Sequence, residues 1–141
     1  MDFHTGYKQT LLAADELIRA IRLPRQFAEY ISYSRKVGAR NAQAIAKVCI
    51  AALAHCSGDV VTDIRIAAGS VAPVPIRLRE TERVVKGKPI SNHLVKAARQ
   101  AAIGEIRPID DIRSTAEYRS AVVANLVAEF LCSLSADGHR T

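Results

Sequence analysis

The residues with the strongest claim to chemistry in this sequence lie between Ser34 and Arg40, in the stretch SRKVGAR. Arg35, Lys36 and Arg40 place positive charge around Gly38, and a glycine lets the backbone turn or another group approach closely. Such a stretch can hold a phosphate or an anionic ring system. A solvated turn carrying cationic side chains has the same composition. Two other places invite a catalytic reading and lose it. Asp110-Asp111 is a carboxylate pair, but it stands just before a helical pattern, where acids cap the chain or complement the helix dipole. His55 beside Cys56 falls in HCSGD, which reads as a tight turn. The four histidines, His4, His55, His93 and His139, lack metal-ligand spacing. No phosphate-binding glycine loop and no nucleophile elbow is present. The residues alone thus name no catalytic group and no metal ligand.

Composition narrows the classes. The chain has 141 residues, 49% of them apolar, which suits one domain with one core rather than disorder. Aromatics make up only 5% and Trp is absent, so that core must be built from Ala, Val, Ile and Leu. The net charge is +6, yet the basic residues are dispersed among acids and apolar residues. No aromatic-basic motif accompanies them, which argues against nucleic acid. Cys49, Cys56 and Cys132 form no CxxC pair and read as reduced thiols. No apolar run approaches the roughly 20 residues that span a bilayer. The reading is a cytoplasmic protein with no membrane contact.

The elements that must position SRKVGAR follow from periodicity. VVTDIRIA, residues 60–67, alternates as a strand, with Val60, Thr62, Ile64 and Ile66 on one side and Val61, Asp63, Arg65 and Ala67 on the other. The turn before it joins an earlier strand from about Lys47, making a hairpin. LIRAIRLP, closed by Pro24, and FAEYISYSR, residues 27–35, are further strand candidates. Gly69 permits a sharp departure from the hairpin, and Pro75 presets the start of a helix over 76–86. There Leu78, Thr81 and Val85 share one face, and Gly87 ends the run. The N-terminus of such a helix can in principle receive an anion; a purely structural corner is the preferred reading. A second helix runs from a cap at Ser91 to Gly104. Ser114 and Glu117 then fit a capping box, followed by Tyr118, Val122, Leu126 and Phe130 at four-residue intervals. Strands first and helices afterwards predict an α+β fold: a small antiparallel sheet of 3–4 strands with about three helices on one face.

Four stretches occur in order: TGYKQTLLAADELIRAIRLP, YSRKVGARNAQAIAKV, IAAGSVAPVPIRLRETERVVKG and PIDDIRSTAEYRSAVVANL. From about Thr5 to Leu131 they resemble the C-terminal domain of the flavin subunit of molybdenum hydroxylases, the xanthine dehydrogenase and carbon monoxide dehydrogenase family. RKVGAR with AQAI resembles the bacterial xanthine dehydrogenase form more closely. The resemblance implies an FAD that takes electrons from 2Fe-2S clusters and a molybdenum-pterin centre in partner domains or subunits, and passes them to NAD. It implies one domain over 1–141, a fragment whose upstream FAD-cradling half is absent, and it settles KVCIAALAH as strand. It also implies cofactor-binding residues: Lys36, beside the flavin, where a cation would stabilise the anionic reduced ring; Ile18, an aliphatic contact; and Tyr7, near the same junction. A stand-alone structural or interaction domain with no flavin binding of its own is the alternative.

Overall fold

The computed structural model describes residues 3–40 and 43–137; His139 lies outside them. A small hairpin of β1 (His4–Gly6) and β2 (Gln9–Thr10) comes first. A 3-10 turn at Arg25–Phe27 then leads into β3 (Ile31–Val37), β4 (Val48–Ser57), β5 (Val60–Gly69) and β6 (Ile76–Arg77). These four form one antiparallel sheet in the order β3-β4-β5-β6. Three helices follow: α1 (Arg79–Val85), α2 (Asn92–Glu105) and α3 (Ala116–Asp137). α3 packs on β3 and β4, α1 packs on β5, and α2 packs against both helices. The predicted α+β architecture is the observed one. Among the described residues no helix is long and apolar enough to cross a membrane.

The core is the aliphatic one that the composition dictates. Val48, Ile50, Ala52 and Ala54 of β4 alternate inward, and Ile64, Ile66 and Ala68 of β5 do the same. From the helices come Leu94, Ala98 and Ala102 on α2, and Val123, Val127, Phe130 and Leu131 on α3. Leu78, Thr81 and Val85 are all fully buried, as their spacing predicts. The Tyr33 ring stacks on Phe130 with centroids 5.2 Å apart, so one of the few aromatic pairs ties sheet to helix.

Several expectations need correcting. Strand β5 does not alternate strictly. His55 pairs with Asp63 but Cys56 pairs with Val61, a bulge that leaves Thr62 unpaired. The extra residue moves the pleat by one, so Val61 is buried while Val60 is only half-buried and Thr62 is exposed. The Thr62 hydroxyl donates to the His55 carbonyl at 2.9 Å, which pins the bulge. LIRAIRLP is not a strand: residues 17–24 are irregular, and Leu17, Ile21 and Leu23 are about four-fifths exposed, at 80%, 82% and 82%. No described strand lies alongside to accept their backbone bonds, and an unpaired strand has no stability of its own. Of 27–35, only the part from Ile31 onward is strand.

The corner after β5 also differs. The left-handed residue is Ser70, at φ 66°, not Gly69. A side chain at Gly69 would put Cβ 2.6 Å from the Cys49 sulfur, so its role is space rather than backbone freedom. Pro75 precedes a strand, because Ile76 and Arg77 pair with β5 before the helix begins at Arg79. The α1 N-terminus does receive an anion, and it is an internal one. The Glu105 carboxylate accepts from the amides of Glu80 and Thr81, at 2.9 and 2.8 Å, and from the Thr81 hydroxyl at 2.8 Å. Ser91 caps α2 as predicted, accepting from the Leu94 amide at 3.2 Å. At α3 the capping residues shift by one: Thr115 accepts from Tyr118, and Asp110 takes the Ala116 amide.

Asp111 has a structural task of its own. It accepts from the amides of Arg113 and Ser114 and pairs with the side chains of Arg113 and Arg119. Its carboxyl is held down to about 2, mainly by the Arg113 amide, with Arg119 adding to this and burial opposing it. A carboxyl of ordinary value near 3.9 in the unfolded chain therefore stabilises the fold above about pH 4. That stabilisation is lost as pH falls toward 2. We expect Asp111→Asn to melt below the native chain at pH 7 and the two melting temperatures to converge between pH 4 and 2. Parallel thermal melts check this; a difference that is constant across that window contradicts it.

Candidate functional site

The helices cover one face of the sheet and leave the other open. On β3 the odd positions turn toward the helices: Tyr33 stacks on Phe130, and Arg35 donates to Glu129 of α3 at 3.0 Å. Ser32, Ser34 and Lys36 therefore face out, because side chains alternate across a strand. The register then builds the open face row by row. Lys36 lies beside Cys49, which lies beside Gly69; Ser34 lies beside Ala51, Ala67 and Arg77; Ser32 lies beside Leu53 and Arg65. The middle of this face has hardly any side chain. Two adjoining depressions, of about 400 and 460 Å³, share Ser34, Ala51 and Ala67 as their floor.

Cations stand at the corners, in different states. Arg77 is bound to Glu82, with its Nε 2.7 Å from one carboxylate oxygen. Arg65 lies 4.3 Å from the centroid of Phe27 and pairs with Asp63. Asp63 also accepts from Lys86 at 2.8 Å and Tyr30 at 3.0 Å. These bonds, led by that to Lys86, hold its carboxyl below the usual value. Lys36 is different: among the described residues its ammonium group has no hydrogen bond, ion pair or ring contact. Its neighbour Arg35 is already occupied by Glu129. Lys36 is thus the cation on this face with charge to offer.

Lys36 also lines a third cavity, of about 470 Å³, with Gly38, Arg40 and Gln43. The loop between β3 and β4 is closed by the Lys47 amide donating to the Val37 carbonyl at 2.7 Å. A Cβ on Gly38 would come 2.9 Å from the Ala44 methyl, the close approach that SRKVGAR predicts. Lys36 therefore joins two concave surfaces, one lined by small side chains, the other polar. A planar ring can lie against the bare floor at van der Waals distance, and a cation at its edge favours the ring's anionic form.

The other two expected site residues lie apart from it. Tyr7 is in the β1–β2 turn and is 71% exposed; Ile18 is in the irregular segment and is 56% exposed. Neither lines the depressions around Lys36. Every hydrogen bond and ring contact of residues 3–24 stays within that segment among the described residues. Sequence reading missed the floor, because the alanines around Cys49 and Ala51 favour helix, Ala67 is only one side of its strand, and Gly69 reads as a corner. Their alternation against the buried Val48, Ile50, Ala52 and Ala68 was the available signal.

The bare floor has a mechanical consequence. Gly69→Ala should destabilise the fold by about 1–3 kcal/mol through overpacking against the Cys49 sulfur. Cys49→Ala should restore most of the loss in the double variant. Denaturant titration of the three proteins checks this, and independent, additive losses contradict it.

The chain is 32% identical over 129 residues to the carbon monoxide dehydrogenase medium chain of Hydrogenophaga pseudoflava, covering 92% of this chain and 45% of that one. It is 25% identical over 130 residues to the xanthine dehydrogenase FAD-binding subunit of Escherichia coli O157:H7, covering 92% and 44%. Identity is thus higher to the carbon monoxide enzyme of these two. A solved structure of carbon monoxide dehydrogenase from Hydrogenophaga pseudoflava superposes with a TM-score of 0.77 at 29% identity, over 91% of this chain and 44% of that one. The chain spans a little under half the length of the relatives it matches. The family profile itself matches residues 33–134, from β3 to the end of the core, and so takes in the sheet with its open face and all three helices. The chain belongs to the CO dehydrogenase flavoprotein C-terminal domain family.

Proposed function

We propose that this chain forms the part of the flavin subunit of a xanthine dehydrogenase-like molybdenum hydroxylase that helps enclose FAD. In the complete enzyme, electrons arrive from iron–sulfur clusters and a molybdenum-pterin centre in partner subunits or domains and leave to NAD. The observation that carries this reading is the unpaired Lys36 at the edge of a sheet face floored by Ser34, Cys49, Ala51 and Ala67. The residues suit an isoalloxazine ring: the small side chains of Ser34, Cys49, Ala51 and Ala67 would let it approach closely, and Lys36 would supply positive charge beside it. FAD supplies the hydride and single-electron chemistry when bound. Lys36 would favour negative charge on the reduced ring, and the small residues would exclude water from it. Ile18 and Tyr7 would add apolar contacts to the cofactor from the N-terminal segment in the complete flavin subunit. A cytoplasmic location accompanies this reading.

Lys36→Ala, made in the intact enzyme, should weaken FAD binding about tenfold, or slow flavin reoxidation by NAD to a similar degree; about 1.4 kcal/mol corresponds to that factor. Flavin content and rapid-mixing kinetics check it. Unchanged flavin content together with unchanged NAD reduction contradicts the assignment. A second reading, an interaction domain with no flavin binding of its own, draws on the exposed Leu17, Ile21 and Leu23, an apolar run that suits a partner surface.

A further inference from the structure

The two edges of the four-stranded sheet are treated differently. On the β5 side the backbone is sealed. Ile66 donates to the Glu82 carboxylate at 2.8 Å and accepts from the Leu78 amide at 2.9 Å. Val61 donates to the Lys88 carbonyl at 3.1 Å and accepts from the Gly87 amide at 2.7 Å. β3, at the other end of the order, pairs only with β4. Alternation says which of its groups are left over. Ile66 turns its amide and carbonyl away from β4, so Ala52 beside it turns its own toward Tyr33 of β3. The odd residues of β3 therefore bond to β4, and the amides and carbonyls of Ser32, Ser34 and Lys36 point outward. Among the described residues no backbone bond satisfies them. Ile31, Tyr33 and Val37 pack on the core beside this edge yet stay partly exposed. Such an edge is a template for another strand.

The sequence of β3 is its own complement. Two copies of ISYSRKV laid antiparallel about a two-fold axis through Ser34 match all seven residues. Ser34 then faces Ser34 of the second copy, Ser32 faces Lys36, Tyr33 faces Arg35, and Ile31 faces Val37. The outward-pointing residues meet one another, as hydrogen-bonded pairs require. Apolar pairs stand at both ends, aromatic rings meet guanidinium groups, and no like charges face each other. An axis through Arg35 would oppose two arginines and shorten the match. An axis through Tyr33 would set Lys36 against Tyr30, outside the strand. Lysine on an edge commonly wards off a second strand. In the matched register Lys36 meets only a serine, and its side chain leaves by the open face.

We infer that β3 is the seam of a two-fold dimer of this chain, in which the four-stranded sheets of two copies join edge to edge. Such a contact is isologous and closes on itself. The two open faces then run on from one another, with Lys36 of each copy beside Ser32 of the other. The pairing needs no cofactor, so failure of the flavin reading leaves it standing.

Sedimentation equilibrium of the purified chain tests this, with Ser34→Pro, Ser34→Lys and Ala121→Lys run beside the native protein. The Ser34 amide points outward, so proline there removes no bond to β4 but deletes the two central bonds across the axis. Lysine at the same position sets two ammonium groups opposite each other. Ala121, on the exposed side of α3, is the control. Thermal melts at dilute concentration report folding, and should the proline variant fail to fold, the lysine variant decides. The expected result is a reversible dimer, at least tenfold weaker in both Ser34 variants and unchanged in Ala121→Lys. Hydrogen exchange gives the second readout: the Ser32, Ser34 and Lys36 amides should gain protection as concentration rises, while those of Tyr33 and Arg35 are protected throughout. A native chain that stays monomeric overturns the proposal. So does a dimer that Ser34→Lys leaves intact, or one in which the Ser32, Ser34 and Lys36 amides still exchange freely, because its contact then lies elsewhere.

Discussion

Replacing Arg119 with methionine is expected to lower the unfolding free energy by about 3–5 kcal/mol, the range for breaking a buried charged network by removing one partner. Arg119 is only 4% exposed. Its guanidinium donates to the Ser70 carbonyl at 2.7 Å, the Lys47 carbonyl at 3.2 Å and the Asp111 carboxylate at 2.7 Å. These acceptors belong to the corner after β5, the loop leading into β4 and the turn before α3. One side chain on α3 thus ties three connections together at one end of the sheet. Methionine fills much of the volume but removes the guanidinium donor from the Ser70 and Lys47 carbonyls and one ion-pair partner from Asp111, which is where the cost arises. Arg119→Lys should recover little, because a single ammonium group cannot reach three divergent acceptors as a planar fork does. Urea titration of the chain checks this. A loss below about 1 kcal/mol for the methionine variant would show that water replaces the guanidinium at no cost.

Glu105→Ala should cost about 2–4 kcal/mol, from two or three charge-assisted hydrogen bonds lost together. α1 spans only seven residues, and Leu78, at its N-cap, makes no side-chain cap bond. A helix this short has no independent stability. Its first free amides depend on a carboxylate contributed by the end of α2, which also complements the helix dipole. Glu105→Gln should be nearly as damaging, since an amide offers one acceptor oxygen where Glu105 uses both of its oxygens. Thr81→Val should isolate the hydroxyl bond and cost about 1 kcal/mol. Hydrogen exchange would show whether the loss is local: protection should fall first in residues 79–85. Uniform loss across the sheet would contradict a capping role.

Glu105 illustrates why part of this fold was legible in the sequence and part was not. Signals that act within one turn of the chain were readable. Ser91 caps the residues that follow it, Leu78, Thr81 and Val85 repeat at helical spacing, and Gly58, at φ 57°, turns the β4–β5 hairpin. The Glu105–Thr81 cap joins residues 24 apart, and no local pattern announces it. Arg119 looked like one more basic residue on a helix, because its acceptors are Lys47 and Ser70. The bulge at Thr62 hid behind good alternation in VVTDIRIA. LIRAIRLP has strand composition without a strand beside it among the described residues, and composition does not supply a partner.

The candidate site shows the same division. Lys36 stood out through its charge and the nearby Gly38. Its floor could be recognised only after the register had placed Cys49, Ala51, Ala67 and Gly69 on one face, opposite the side that the helices cover. Small residues at alternate positions on β4 and β5 are silent in composition. Here they mark the side of the sheet that the described helices leave open.

The measurement that bears most directly on the flavin assignment is a calorimetric titration of FAD into the purified chain, repeated with the FAD-cradling half that the proposed flavin subunit would supply added in trans. An open face with one unpaired lysine and no phosphate cradle predicts negligible binding to the chain alone. It predicts measurable or tighter binding once the two are combined, reduced about tenfold by Lys36→Ala. An FAD affinity that the chain leaves unchanged in both formats would contradict it and leave this domain an interaction role within the same fold.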